Sequence, residues 1–292
     1  MTAPVLFDRA LHRRRLDRAA PTFGAADFLK RRAAEDAVFR LEAILRDFPV
    51  AVDLGARNGV FGELLAQSPA RERVGLLVES ELSERMIRGR DGARLLLDEE
   101  RLPLGVGSIN LAVSLLAMQW VNDVPGALIQ IRRALKPDGL FLGAVFGGAT
   151  LNELRHSLLH AEAEVRGGAG LRVSPFMDPV DGTGLLQRAG LSDPVVDVDK
   201  LTVRYEHPLR LMQDLRRMGD TNALLERDRT PLSRPVLARA FEIYAERFGH
   251  PDGRIPATFE IVMLTGWTAP EVRESPAGRR PAVRQRAASG SP

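Results

Sequence analysis

Residues 51–60 read Ala51-Val-Asp-Leu-Gly-Ala-Arg-Asn-Gly-Val60, and an apolar lead-in, Phe48-Pro-Val50, runs straight into them. Gly59-Val-Phe-Gly-Glu-Leu-Leu-Ala66 follows with helical spacing. A short apolar run closing on an acid, a glycine-bounded turn and a helix start together predict a buried strand feeding a helix. Gly55 and Gly59 can take positive φ or let a ligand approach the backbone. In an open parallel sheet such a turn lies at the carboxyl edge, where ligands collect.

The spacing narrows the ligand. A dinucleotide site needs G-x-G-x-x-G, so that bare backbone and a helix start receive a pyrophosphate. Here the pattern is G-x-x-x-G, with Arg57 at the middle-glycine position. Asp53 ends the strand, and a carboxylate there suits an ammonium group and ribose hydroxyls better than a phosphate. That combination points to S-adenosylmethionine; the alternative is an ordinary α/β turn with a surface acid.

Working outward, the same grammar recurs. Arg73-Val-Gly-Leu-Leu-Val-Glu79 predicts a second strand ending on Glu79. An acid there can receive a ribose diol, since a carboxylate accepts two hydrogen bonds at once, although a solvated strand-end acid is the alternative. Ser80 to Arg88 has the look of a capped helix. Ala93 to Glu99 is a third strand, and Asp98 could meet an adenine amino group. Ser108 to Leu115 is a fourth, running into the polar-aromatic Met118-Gln119-Trp120-Val-Asn122-Asp123. Val124 to Leu135 reads as helix, Lys136-Pro-Asp-Gly139 as a turn, and Leu140 to Phe146 as a fifth buried strand. Helices are expected over 25–48, 150–166, 181–189, 207–218 and 233–248, an edge strand over 193–205, and a last strand over 258–267. The fold class is therefore α/β, Rossmann-like and doubly wound. It has a mostly parallel seven-stranded sheet and a helical insertion, 206–257, lying as a lid over the carboxyl edge. On the helix from Thr150, Glu153, His156 and His160 span roughly 10.5 Å of rise. That is too far to converge on one metal ion, so a surface stripe is expected and no metal site.

The chain of 292 residues is 45% apolar, has no cysteine and carries a formal charge of +3. Absent cysteine excludes a disulfide framework, a thiolate nucleophile and a cysteine-bound zinc. The basicity sits at the ends: Arg9, Arg13, Arg14, Arg15 and Arg18 near the start, and Arg279, Arg280, Arg284 and Arg286 near the finish. The body between them is net acidic, which argues against a nucleic-acid groove. No apolar run reaches membrane-spanning length, and a cytoplasmic location is the simplest expectation. Asp8 and Asp17 count against an Arg-rich transit peptide, so residues 1–24 are expected to form an ordered or partner-docked arm. Residues 25–268 are read as the folded domain, and 269–292 as a disordered basic tail.

Asp53-Leu-Gly-x-x-x-Gly59, Glu79, Asp98-Glu99, Leu102-Pro-Leu104 and Leu135-Lys-Pro-Asp-Gly139 resemble the class I S-adenosylmethionine-dependent methyltransferases. Gln119-Trp-Val-Asn-Asp123, Phe146-Gly-Gly-x-Thr-Leu-x-Glu-Leu154, Ser174-Pro-Phe176, Met218-Gly-x-x-Asn222 and Pro256-Ala-Thr-Phe259 resemble, more narrowly, the subfamily of the mitochondrial complex I assembly factor. Protein-arginine hydroxylation has been proposed there, and the subfamily is similar to the methyltransferase of biotin synthesis. The resemblance implies a cofactor shell of Asp53, Gly55, Arg57, Gly59, Glu79, Asp98 and Glu99, with Ser114 and Leu115 beside the methionine part. It implies an acceptor pocket shaped by Gln119, Trp120, Phe146 and the 206–257 helices. Arg57 departs from the family glycine; it could pair with the ligand carboxylate or fill the pocket.

Three functions follow as expectations: methyl transfer to an unidentified acceptor, arginine hydroxylation on a respiratory complex I subunit, or a non-catalytic assembly chaperone. The first needs only positioning and desolvation around an already activated methyl group, consistent with a chain lacking any catalytic triad. A mitochondrial matrix location would apply were the chain eukaryotic.

Overall fold

The computed structural model describes residues 5–271. The expected basic tail therefore lies, beyond 271, outside the described residues. The elements run α1 (Arg9–Ala19), α2 (Phe28–Ala43), β1 (Phe48–Leu54), α3 (Val60–Ala66), β2 (Val74–Glu81), α4 (Glu84–Ile87), β3 (Ala93–Leu96) and β4 (Ile109–Leu115). They continue α5 (Val124–Ala134), β5 (Leu135–Phe146), α6 (Asn152–Arg166), α7 (Asp181–Arg188), β6 (Ser192–Tyr205), α8 (Pro208–Met218), α9 (Arg234–Phe248) and β7 (Ile255–Trp267).

One seven-stranded sheet has the order β3-β2-β1-β4-β5-β7-β6, and β7 alone runs antiparallel to its neighbours. The strand order reverses between β1 and β4, and this switch point opens the crevice in which doubly wound sheets hold ligands. The central strands are near-continuous Val, Leu and Ala because both of their faces are covered. α2, α3, α6, α8 and α9 share one core with the sheet, and α5 and α7 pack on the other side. β6 is the edge strand, and much of its length is half-buried or exposed.

Several boundaries differ from expectation: β3 ends at Leu96 rather than Glu99, and β7 begins at Ile255 rather than at 258. β2 continues to Glu81, because Leu54 pairs with Ser80 and the N–H groups of Gly55 and Ala56 both donate to the Ser80 carbonyl. The next helix is only one turn and is capped by Ser83, whose hydroxyl accepts from the Met86 N–H. α2 ends at Ala43, since Ile44 is already extended, and Leu45 is exposed. The expected turn at Lys136–Gly139 is a bulge inside β5: the register with β4 jumps from Ile109–Leu135 to Leu111–Leu140, and Asp138 absorbs it at φ 60°.

Residues 9–19 form a helix laid over the sheet's carboxyl edge. Asp8 caps it by accepting from the Leu11 N–H, and His12 and Leu16 are buried. Asn122 fastens its start, accepting from the N–H groups of Leu6 and Phe7 while its amide donates to the Phe7 carbonyl. On α6, Glu153 turns inward to Thr258, whereas His156 and His160 pack on each other and His156 meets Phe248 edge-on.

Candidate functional site

The site lies where β1, β2 and β4 end. Gly55 at φ 72° and Gly59 at φ 71° bend the chain from β1 into α3. A Cβ on Gly55 would stand 2.3 Å from the Ala117 Cβ, so the loops after β1 and β4 can approach only at a glycine. Arg57 and Leu116, on these two loops, hold φ of 55° and 50°, a region costly to non-glycine residues and sustained only where surroundings enforce it.

Strand alternation puts Asp53, Glu79 and Glu81 on one face. Asp53 is fully buried and neither carboxylate oxygen has a hydrogen-bond partner. Burial raises its pKa to about 6 against the pull of nearby Lys30. Lys30 reaches in from α2 and donates to the carbonyls of Gly55 (2.8 Å) and Leu115 (2.6 Å), bridging both strands at the switch point. Burial lowers its pKa to about 8. The Ser114 hydroxyl on β4 is buried and unpartnered, and Leu115 is fully buried beside it.

The other acids are engaged by arginines of the chain itself. Glu81 is fully buried, and the Arg57 guanidinium donates to both of its oxygens at 2.9 Å, with the Arg57 backbone N–H adding a third bond. Burial pushes the Glu81 carboxyl up, but Arg57 and the backbone donors outweigh it and hold it below its ordinary value. Glu79 is paired with Arg90 at 2.9 and 3.0 Å. Arg90 also covers Gly59, where a Cβ would collide with its guanidinium. Arg9 of α1 bridges Asp98, at 2.7 Å, and Glu99. Burial raises the Glu99 pKa despite that partner.

The expected pocket residues separate by role. Trp120 is buried with its ring stacked on His12 at 4.7 Å and edge-on to Phe7 at 5.3 Å, and its indole N–H donates to Asp220 at 2.9 Å. Both ends of the Gln119 amide are buried without partners. Phe146 packs into an aromatic cluster with Phe176 and Phe259. Beside Trp120 opens a cavity of about 540 Å³, walled by Leu151, by Leu154 and Leu158 of α6, by Met212 and Leu215 of α8, and by the 220–232 loop. Asp220 lines this cavity and also a narrow gap bounded by Lys30, Arg57 and Phe146. It is thus the joint between crevice and cavity, and burial raises its pKa to about 6.

Sequence reasoning missed Glu81, Lys30, Asp220, Arg9 and Arg90. Glu81 had a signal, the repeat Glu79-Ser-Glu81 ahead of a capping Ser83, but choosing between the two acids required the strand's true end. Lys30 is one of three lysines in the chain, yet on an apolar-spaced helix it reads as surface. Asp220 follows Gly219, which closes α8 at φ 79°; nothing local says that it faces Trp120.

This sheet order with its glycine turn defines a methyltransferase fold, and residues 52–143 match the family described as Methyltransferase domain. The chain superposes on the YcgJ protein of Bacillus subtilis with a TM-score of 0.52 at 14% identity, over 82% of this chain and 98% of that one. It is 39% identical to mouse arginine-hydroxylase NDUFAF5, mitochondrial, over 94% of this chain and 80% of the relative. It is 34% identical to the malonyl-[acyl-carrier protein] O-methyltransferase of a Methylovorus strain, over 100% of both. The chain belongs to the class I S-adenosylmethionine-dependent methyltransferases, in the group that holds these two relatives.

Proposed function

We propose that the chain transfers the methyl group of S-adenosylmethionine to an acceptor entering the cavity beside Trp120. The observation carrying this is Asp220, which lines the cavity and also the narrow gap beside Lys30 and Arg57, two residues of the helix and loop that meet at the strand ends. The crevice suits the cofactor at its amino-acid end: Asp53 is a buried carboxylate with both oxygens free, Lys30 a buried cation, and Ser114 a free hydroxyl. Glu81 would receive the ribose and Asp98 the adenine edge, once their arginines give way. When bound, the cofactor supplies a methyl group on a cationic sulfur. The chain excludes water with Phe146, Leu116 and Trp120, and Asp220, held by the indole N–H, orients the acceptor and can take its proton. In-line positioning of this kind is most of what methyl transfer requires.

The acceptor is proposed to be carried by a protein, a respiratory complex I subunit by the motif resemblance, with a cytoplasmic setting in a bacterium. Among the described residues no helix is long and apolar enough to cross a membrane. Arginine hydroxylation is the second reading, favoured by the relationship to mouse NDUFAF5; the Arg57–Glu81 pair favours the third, a non-catalytic chaperone. Intact-mass analysis of the candidate subunit after incubation with protein and cofactor separates them. A gain of one CH₂ is expected; a gain of one oxygen selects hydroxylation, and an unchanged mass under conditions of tight association selects the chaperone.

A further inference from the structure

The ribose-receiving acid has no free lone pair. A carboxylate offers about four acceptor sites, and Glu81 takes five N–H contacts: two from the Arg57 guanidinium, and one each from the backbones of Arg57, Leu82 and Ser83. Three of these come from Arg57, so a diol can bind there only by displacing it.

Arg57 is not settled there as an ordinary structural arginine would be. Its backbone sits at φ 55°, in the left-handed region. Its second terminal nitrogen is buried without an acceptor. Burial works against its charge, and Glu81, then Asp220 and Glu99, outweigh it and hold the guanidinium charged. Glu81 thus holds the guanidinium directly, Asp220 borders the same narrow gap, and the Glu99 carboxylate reaches the turn at Gly55, where the proposed cofactor would bring a cationic sulfur.

We infer that Arg57 is a resident counter-ion of the cofactor crevice, competing with S-adenosylmethionine for the same carboxylates and setting the affinity of the site. This rests on the crevice being the cofactor site. The Arg57–Glu81 pair must open before the ribose is held. Releasing Arg57 without a cationic replacement leaves the acids facing one another in a dry pocket, where like charges repel strongly. The crevice is consequently tuned for a cation, and wild-type affinity is weakened by the exchange.

Calorimetry on the full chain with S-adenosylmethionine and S-adenosylhomocysteine tests this, comparing wild type with Arg57→Asn, a residue that tolerates left-handed φ, and Arg57→Gly. Both variants are expected to bind S-adenosylmethionine about tenfold or more tightly than wild type, with a smaller gain for S-adenosylhomocysteine, whose thioether sulfur carries no charge. Thermal unfolding should show a lower midpoint without ligand and a larger ligand-induced rise. Equal, tight binding by wild type and variants overturns the inference and leaves the cofactor reading standing. A gain of the same size for both ligands also overturns it, leaving mere space-filling. Failure of every protein to bind either ligand at millimolar concentration removes the cofactor reading and the inference with it. Should both variants fail to fold, low-micromolar binding of S-adenosylmethionine by wild type alone is sufficient to overturn it, and its absence, with millimolar binding retained, supports it.

Discussion

The crevice at the ends of β1 and β2 and the cavity beside Trp120 adjoin through Asp220, yet they are built on opposite principles. The crevice is charged and closed: Glu81, Glu79, Asp98 and Glu99 each hold an arginine, and Asp53 and Lys30 are buried near them. The cavity is largely apolar along α6 and α8, and its charged wall includes Arg172 paired with Asp228 at 2.9 Å. The cavity offers apolar side chains of α6 and α8 as well as that pair, whereas the acids of the crevice are paired with arginines throughout except at Asp53. On the proposed function, selectivity for a cationic ligand would belong to the crevice, and contact with the acceptor to the cavity.

The sharpest way to break this contrast is Glu81→Ala. It strands the buried Arg57 guanidinium, and urea unfolding should show a loss of about 3–5 kcal/mol. A loss below about 1 kcal/mol, the value of a solvated pair, would mean the crevice is wet and the contrast unreal. Asp53→Asn is next. The native carboxyl of Asp53 has its pKa raised from 3.8 to about 6, so the folded state keeps a proton that the unfolded chain has released. Wild-type stability from this group is present at low pH and is lost as pH rises from near 4 through 6. The variant, which cannot ionise, should gain about 2–3 kcal/mol relative to wild type between pH ~4 and pH ~7. Parallel pH profiles would show Asp53 to be solvated. On the cavity side, Trp120→Phe keeps a ring against His12 and Phe7 but removes the donor to Asp220. A loss of about 1 kcal/mol is expected, read as a lowered thermal midpoint, and an unchanged midpoint would show that this bond does not set the joint between the two regions.

Much of the architecture was legible in the pattern of residues. Runs such as Ala51-Val52 and Leu111-Ala-Val113 are buried on both faces, and only a covered parallel sheet accommodates that. The glycine pair at 55 and 59 marked the turn because the backbone there needs positive φ. The pockets were harder. Strand-end acids are visible as acids, but whether Glu79 or Glu81 closes β2 depends on a register set by β1, and the partners Arg90 and Arg9 come from a loop and from α1. Trp120 and Gln119 read together as pocket residues; only their neighbours reveal that one is clamped by the N-terminal helix and the other is buried without a hydrogen-bond partner.

From the order of its residues alone, this chain fixes a doubly wound sheet, a crevice at the carboxyl ends of its strands and an arginine where the turn is usually bare. These are short-range facts, governed by strand and helix periods and by backbone sterics. What became of that arginine was settled by the folded chain, because a guanidinium buried among carboxylates takes its partner from whatever the packing brings within about 3 Å, and no local pattern encodes a contact between residues 57 and 81. The tertiary arrangement therefore decided between an arginine open to solvent and one paired with a buried acid.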